Sequence, residues 1–483
     1  MNHFIRHVAI SLIFVFLFRE SPAQDISRQE AFAVAKNFAS AQFFKGAPDS
    51  AAVAVMDDNI MLGWLFPLLP EGFVLVAADT LQHPVYAYST ESGFDPGDEF
   101  WSEWITSIKK DLSARSATTA FLNPQEKQII SEEWHSLITG EPCKKLFQQW
   151  PPAGSTSTGG WIETNWTQNA PYNQMCPMDL SAGSRSIAGC PAVAMAQILN
   201  FRKELNSTRF NDGDDYYHNY GSNQFTIDDD SAAYDFPGFG TLNLYLDSLE
   251  QFYFAKTEPP EDMKAALVFA CGTAATQVYS ASGSGTFGID QAADAYQRFG
   301  YTTSRLVYPA DTNLNYDLAE NIKQSLPAHL GVVNAGNTAG HNVVVDGYNT
   351  DEFYHFNFGW GGSYNGWYTM PPTSMPYSLN YIEGIVLDIG ADSAQAGQYE
   401  VISTPEILIF PNPATEIINI QFDKEYPQGA ITLYDIYGRL VQKQEINNAK
   451  QTALNISRLT AGMYLLSIEL ADERMVISKF FKR

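Results

Sequence analysis

The sequence predicts an α+β protein assembled from several folded units, and three observations lead there. Its 483 residues exceed what one domain usually holds. Amphipathic helical spacing alternates with strand-like runs through most of the chain, whereas residues 404–483 contain short alternating strands only. The charge divides along the same lines: 11 basic and 18 acidic residues in 1–150, 9 and 27 in 151–403, and 9 and 9 in 404–483.

These totals already exclude some functions. A net charge of −25 leaves no basic excess for tracking a phosphate backbone, so no nucleic-acid partner is expected. An apolar fraction of 45% with 13% aromatics argues against disorder. The four cysteines, at 143, 176, 190 and 271, are too few for a disulfide scaffold and include no C-x-x-C pair. No metal or cofactor is called for.

The chain opens with Arg6, the apolar run Val8 to Phe18, and small residues at Ser21 and Ala23, which is the pattern of a signal peptide over 1–23. Eleven residues are too few to cross a bilayer, and no later run is long enough, so export without a permanent membrane span is expected. Residues 24–150 follow as a small α+β unit. Ser27 to Glu30 forms a capping box ahead of a face made by Phe32, Val34, Ala35, Phe38, Ala39 and Gln42. Strand-like runs at Gly72 to Ala78 and around Val85 precede a second helix with Trp101, Trp104, Ile105 and Ile108 inward. Residues 148–160, QQWPPAGSTSTGG, read as an exposed linker suited to proteolytic nicking. A central unit fills 151–395. Six short strands between Ile407 and Phe480 then predict a C-terminal β-sandwich over 404–483.

The central unit carries the chemistry. In GCPAVAMAQIL, Pro191 suits a first helical position and the residues after it are good helix formers. Cys190 therefore sits at a helix mouth, where the macrodipole lowers a thiol pKa. The other three cysteines read as small buried hydrophobes. His341 is the candidate base, on the first strand of a hairpin whose second strand is Phe353 to Phe358. An even pairing register would set Asn357 beside His341, where its amide could accept from the ring N–H and orient it. Trp360, in the glycine-rich GWGG turn, could shield the pair from water. Thiolate, base and orienter make the papain-type arrangement for acyl transfer. The Cys190 N–H supplies one oxyanion donor, and Gln168 is preferred to the adjacent Asn169 as the second.

The strings GCPAVAMAQIL, WTQNAPYN, GHNVVVDGY and FNFGWGG resemble the streptopain family of cysteine proteases, papain-like enzymes made as zymogens. The resemblance implies Cys190 as nucleophile, His341 as base, Gln168 as oxyanion amide, Asn357 as orienter and Trp360 in the aromatic loop, with protein or peptide substrates. It also implies that residues 24–150 are an inhibitory propeptide and a partner of the catalytic unit. Two departures stand out: Phe358 where the family usually has Trp, and Asn342 where it has Ala. The tail, with FPNPATEIINI and LTAGMYLLSIEL, resembles the sorting domain of type IX secretion, which implies that machinery as a partner and a secreted or cell-surface location.

The acidic clusters at 211–215 and 228–230 complete no calcium loop and read as solvated loops. His355, in the middle of an aromatic strand, reads as structural. The rival to a secreted cysteine endopeptidase is a catalytically weak protease-fold surface protein that binds rather than cuts, with Phe358 its one support.

Overall fold

The fold is known from a computed structural model, which describes residues 26–390 and 408–482 apart from 43, 94–98, 120–121, 142–146, 311–313, 371–378, 411–413, 436–439, 461 and 471–474. The expected signal peptide and Cys143 lie outside the described residues.

Helix α1 (Arg28–Ala41) opens on the capping box that the sequence spells: Glu30 N–H donates to the Ser27 hydroxyl, and Ser27 N–H donates to the Glu30 carboxylate. Its buried face, Val34, Ala35 and Phe38, packs on one side of a sheet that includes β1 (Ile60–Leu69), β2 (Phe73–Ala77) and β3 (Val85–Ser89). Helix α2 (Glu99–Thr118) covers the other side with Trp101, Trp104 and Ile108. Every residue of β2 and β3 is buried because both faces are covered, so these strands show no alternation. A third helix, α3 (Pro124–Thr139), lays Ile130 and Trp134 beside α1.

The stretch read as an exposed linker is tied down at both ends. Strand β4 (Gln149–Trp150) pairs with the hairpin strand described next, and Trp150 stacks on Tyr348 at 6.1 Å. Pro151, Thr158 and Gly160 are buried, and exposed residues are confined to Gln148 and to the 152–157 segment.

In the central unit, helix α4 (Cys190–Arg202) is apolar all round and wholly enclosed from Pro191 to Asn200. Around it lie α5 (Phe239–Phe254), α6 (Glu261–Ala274) and α7 (Ile289–Arg298), while α8 (Leu314–Lys323) packs on the sheet. The sheet runs through β5 (Ala328–Val333), β6 (Gly340–Asn349), β7 (Phe353–Asn357), β8 (Gly366–Thr369) and β9 (Tyr381–Leu387). It is continuous with the N-terminal sheet, since Trp367 of β8 pairs with Tyr88 of β3 and the two rings stack. The sheet therefore has two cores, one shared with α4 to α7 and the other with α2 and α8. The α+β class is as the sequence predicts.

A buried charge cluster closes the seam between the N-terminal and central units. His355 Nδ1 lies 2.6 Å from Asp346 and its Nε2 lies 2.7 Å from Glu91 of the N-terminal unit. Burial opposes charge on His355, but Asp346 and Glu91 outweigh it and hold the imidazolium up at about 10.

The C-terminal unit is a five-stranded antiparallel sheet: β10 (Leu408–Phe410), β11 (Ile417–Asp435), β12 (Leu440–Asn455), β13 (Gly462–Leu470) and β14 (Met475–Lys482). Two strands expected separately, 417–422 and 431–434, are one long strand whose pairing shifts between Gln421 and Tyr426.

Two predictions follow from this packing. Gly189, which precedes α4, has φ +86°, and a Cβ there would lie 2.5 Å from the Gln277 amide. Gly189→Ala is expected to cost about 1–3 kcal/mol of stability, read from denaturant unfolding. The raised His355 contributes stability that is complete below its unfolded pKa, near 6.5, and is lost as pH rises toward about 10. In a Cys190→Ala background, the thermal midpoint should therefore exceed that of the Glu91→Gln variant at neutral pH, with the gap closing toward pH 10. A gap that stays constant over this range would refute the assignment.

Candidate active site

Strand alternation decides which side chains meet at the mouth of α4. On β6, Val344 joins the core around α4, whereas Val343 and Val345 join the opposite core. Asn342 shares the face of Val344 and reaches Cys190, with Nδ2 4.0 Å from Sγ. His341 lies on the other face. Its Nε2 is 2.9 Å from the Phe358 carbonyl, to which it donates, and its ring stacks on Trp360 at 4.4 Å and 19°. Among the described residues no hydrogen bond joins His341 to Cys190.

The thiol is not activated in this state. Packing around the Cys190 sulfur pushes it up to about 11, against the smaller lowering effects of the Asn342 backbone and side chain and of the Cys190 N–H. Burial thus outweighs the helix dipole that the sequence led us to expect to dominate. Burial also pushes His341 down to about 4, with the Phe358 carbonyl opposing and His329 adding to the fall. Thiol and imidazole are both neutral at pH 7. Since Nε2 carries the proton given to Phe358, Nδ1 is the nitrogen free to act as a base.

Asn357 does not reach His341. Tyr348 faces Tyr354 and Gly347 faces His355, but a bulge at Asp346 shifts the register so that Val344 faces Asn357. The expected even register therefore holds only near the turn. The Asn357 amide is engaged elsewhere: Nδ2 donates to the Thr164 carbonyl at 2.8 Å, and Oδ1 accepts from Gly359 N–H at 3.0 Å and from Gln197 at 3.2 Å. Gln197 also accepts from Thr164 and from Trp166 N–H, which ties α4 to the strand hairpin and to the segment before Gln168. Gln197 was not singled out in the sequence. Its signal was there: a polar residue two turns after Cys190, within the otherwise apolar run from Pro191 to Leu199.

Gln168 lies beside the helix mouth. Its carbonyl accepts from Ala188 N–H at 2.8 Å, two residues before Cys190, and its half-buried side-chain amide makes no hydrogen bond among the described residues. Asn169 is exposed. Phe358 is buried and stacks on Trp360 at 5.4 Å, so its ring is one layer removed from His341 and its carbonyl makes the contact. The other described cysteines behave as packing residues: Cys176 and Cys271 are fully buried, and burial pushes Cys176 up to about 12. The acidic clusters serve locally, Asp214 pairing with Arg298 and Asp228 accepting from Phe239 N–H.

Residues 166–368 match the Peptidase C10 family, and residues 408–483 match the secretion system C-terminal sorting domain. The thiol protease/hemagglutinin PrtT of Porphyromonas gingivalis is 24% identical over 380 residues, which is 76% of this chain and 38% of PrtT. Streptopain of Streptococcus pyogenes is 22% identical over 327 residues, 64% of this chain and 73% of streptopain. The chain thus spans well under half of PrtT. A prointerpain A fragment from Prevotella intermedia aligns over 71% of this chain and 99% of the fragment, at 19% identity and a TM-score of 0.47. No described helix is long and apolar enough to cross a membrane. Over its central residues the chain is homologous to cysteine proteases of the Peptidase C10 family, and its C-terminal residues match a secretion-system sorting domain.

Proposed function

We propose that the protein is an exported cysteine endopeptidase made as a zymogen, with residues 24–150 as the inhibitory propeptide and 404–483 as a type IX sorting domain. The observation that carries this reading is Cys190 at the mouth of a buried helix, with the His341 strand packed against that helix and the Gln168 backbone bonded to Ala188 just before it.

Latency has a physical basis in the N-terminal contacts. Tyr364 N–H donates to Ser92 at 2.8 Å, Ser89 donates to the Asn365 carbonyl at 2.5 Å, and Trp101 packs on Tyr364 at 4.8 Å. Tyr364 in turn meets Trp360, the ring that stacks on His341. The N-terminal unit thereby holds the aromatic turn that keeps the imidazole on the wrong face. Cleavage in or near 145–160 would release the turn. The exposed 335–340 segment gives His341 room to swing, through Gly340, toward the helix mouth.

In the working site, Nδ1 of His341 takes the Cys190 proton, and the thiolate attacks the peptide carbonyl. The imidazolium then protonates the leaving amine, and water hydrolyses the thioester with His341 again as base. The Cys190 N–H and the Gln168 amide face the developing oxyanion. Asn357 acts at one remove, through Gln197 and the Gly359 turn.

After processing, Cys190→Ala and His341→Ala are each expected to lower casein hydrolysis by at least about a thousandfold. Undiminished hydrolysis by the Cys190 variant would refute the assignment. Gln168→Ala should lower kcat by about 10²–10³-fold with little change in KM. The separation of His341 from Cys190 also fits the binding-module reading. Absence of turnover by processed protein across a broad peptide library, with Cys190 unreactive toward iodoacetamide, would decide for that reading.

A further inference from the structure

Behind Cys190 runs a line of polar side chains, each from a different element. Tyr296 of α7 places its hydroxyl 3.1 Å from His329 Nδ1. His329 of β5 places Nε2 2.7 Å from Asn342 Oδ1, and Asn342 of β6 directs Nδ2 to the Cys190 sulfur. Tyr296 and His329 are fully enclosed and Asn342 is half-buried. Such a line is costly to bury unless each member is satisfied, and this one ends on the nucleophile.

The line has a direction. Burial keeps His329 neutral, pushed down to about 4 although Asn342 opposes the fall, so its ring carries one N–H. With that proton on Nε2, His329 donates to Asn342 Oδ1 and accepts from the Tyr296 hydroxyl at Nδ1. The Asn342 amide then has only its N–H group left for the sulfur. Every donor points toward Cys190, the polarity that favours a thiolate over a thiol. The reverse orientation, with Oδ1 toward the sulfur, would favour the thiol, so the two can be told apart by titration.

We propose that Asn342 is a positioning residue for the nucleophile, an uncharged hydrogen-bond donor to the Cys190 thiolate that is held in orientation by His329 and Tyr296. This rests on Cys190 as the reactive thiol. It gives a role to the asparagine that follows His341, and explains why a histidine lies buried on the face of the sheet away from His341. The titratable groups around the line are His329 and Tyr296 themselves, His341 on the opposite face of β6, and Glu383 of β9, whose carboxylate approaches Gly331, the partner of Asn342 across β5 and β6. Asp290 lies near Glu383.

The test is the pH dependence of Cys190 alkylation by iodoacetamide in the full-length chain, read by mass spectrometry of the Cys190 peptide. Asn342→Ala should move the midpoint up by about one pH unit and slow alkylation below the midpoint about tenfold. Asn342→Asp, of the same shape but without the donor, should move it further up. His329→Phe should shift it in the same direction, and His329→Gln, which retains an N–H donor, should restore most of the parent profile. An unchanged or lowered midpoint in Asn342→Ala and Asn342→Asp, with thermal unfolding as in the parent, would overturn the proposal. The readout needs no peptidase activity, so loss of hydrolysis in a Cys190 variant and the fate of this proposal are separate results.

Discussion

A β-strand packed against a helix can present only every second side chain to it, and that alternation governs the whole central unit. Strand β6 gives Val344 and Asn342 to the helix that begins at Cys190, and gives His341, Val343 and Val345 to the other core. The proposed base, His341, is therefore on the face of β6 opposite to Asn342, the residue that reaches the proposed nucleophile, Cys190. Three features hold this arrangement: the bulge at Asp346, the Asn357–Gln197 link to α4, and the stack of His341 on Trp360. Desolvation leaves the half-buried thiol and the buried imidazole both neutral, one pushed up to about 11 and the other down to about 4. They cannot share a proton without first coming together.

The N-terminal unit is joined to this arrangement through a continuous sheet and a buried His355 with carboxylates on both sides. Removing one partner of a buried ion pair leaves an uncompensated buried charge, which is strongly destabilising. Removal of the N-terminal unit would take away Glu91, the Tyr88 stack on Trp367 and the Ser92 bond to the aromatic turn together. The proposed latency would then be a property of one interface rather than of a plug in a groove.

Much of this was legible in the sequence. The capping box at Ser27, the helix after Cys190 and the hairpin around Asn349 each follow from local rules that packing did not override. What was not legible depends on register and on partners distant in sequence. A single bulge residue, Asp346, turns an even register into an odd one and moves Asn357 from His341 to Gln197. The linker read from Pro, Gly and Ser content is pinned because Trp150 finds Tyr348, nearly two hundred positions on. Helix propensity and the dipole argue for a lowered thiol at Cys190, but desolvation, which only the folded surroundings reveal, is larger.

Latency by separation of Cys190 from His341 is tested most directly by the rate of Cys190 alkylation with iodoacetamide at pH 6, compared between the full-length chain, the processed form and processed His341→Ala. Fast alkylation in the processed form alone is the expected result, because only there can the imidazole hold the thiolate at that pH. Equal rates in the full-length and processed chains would contradict it.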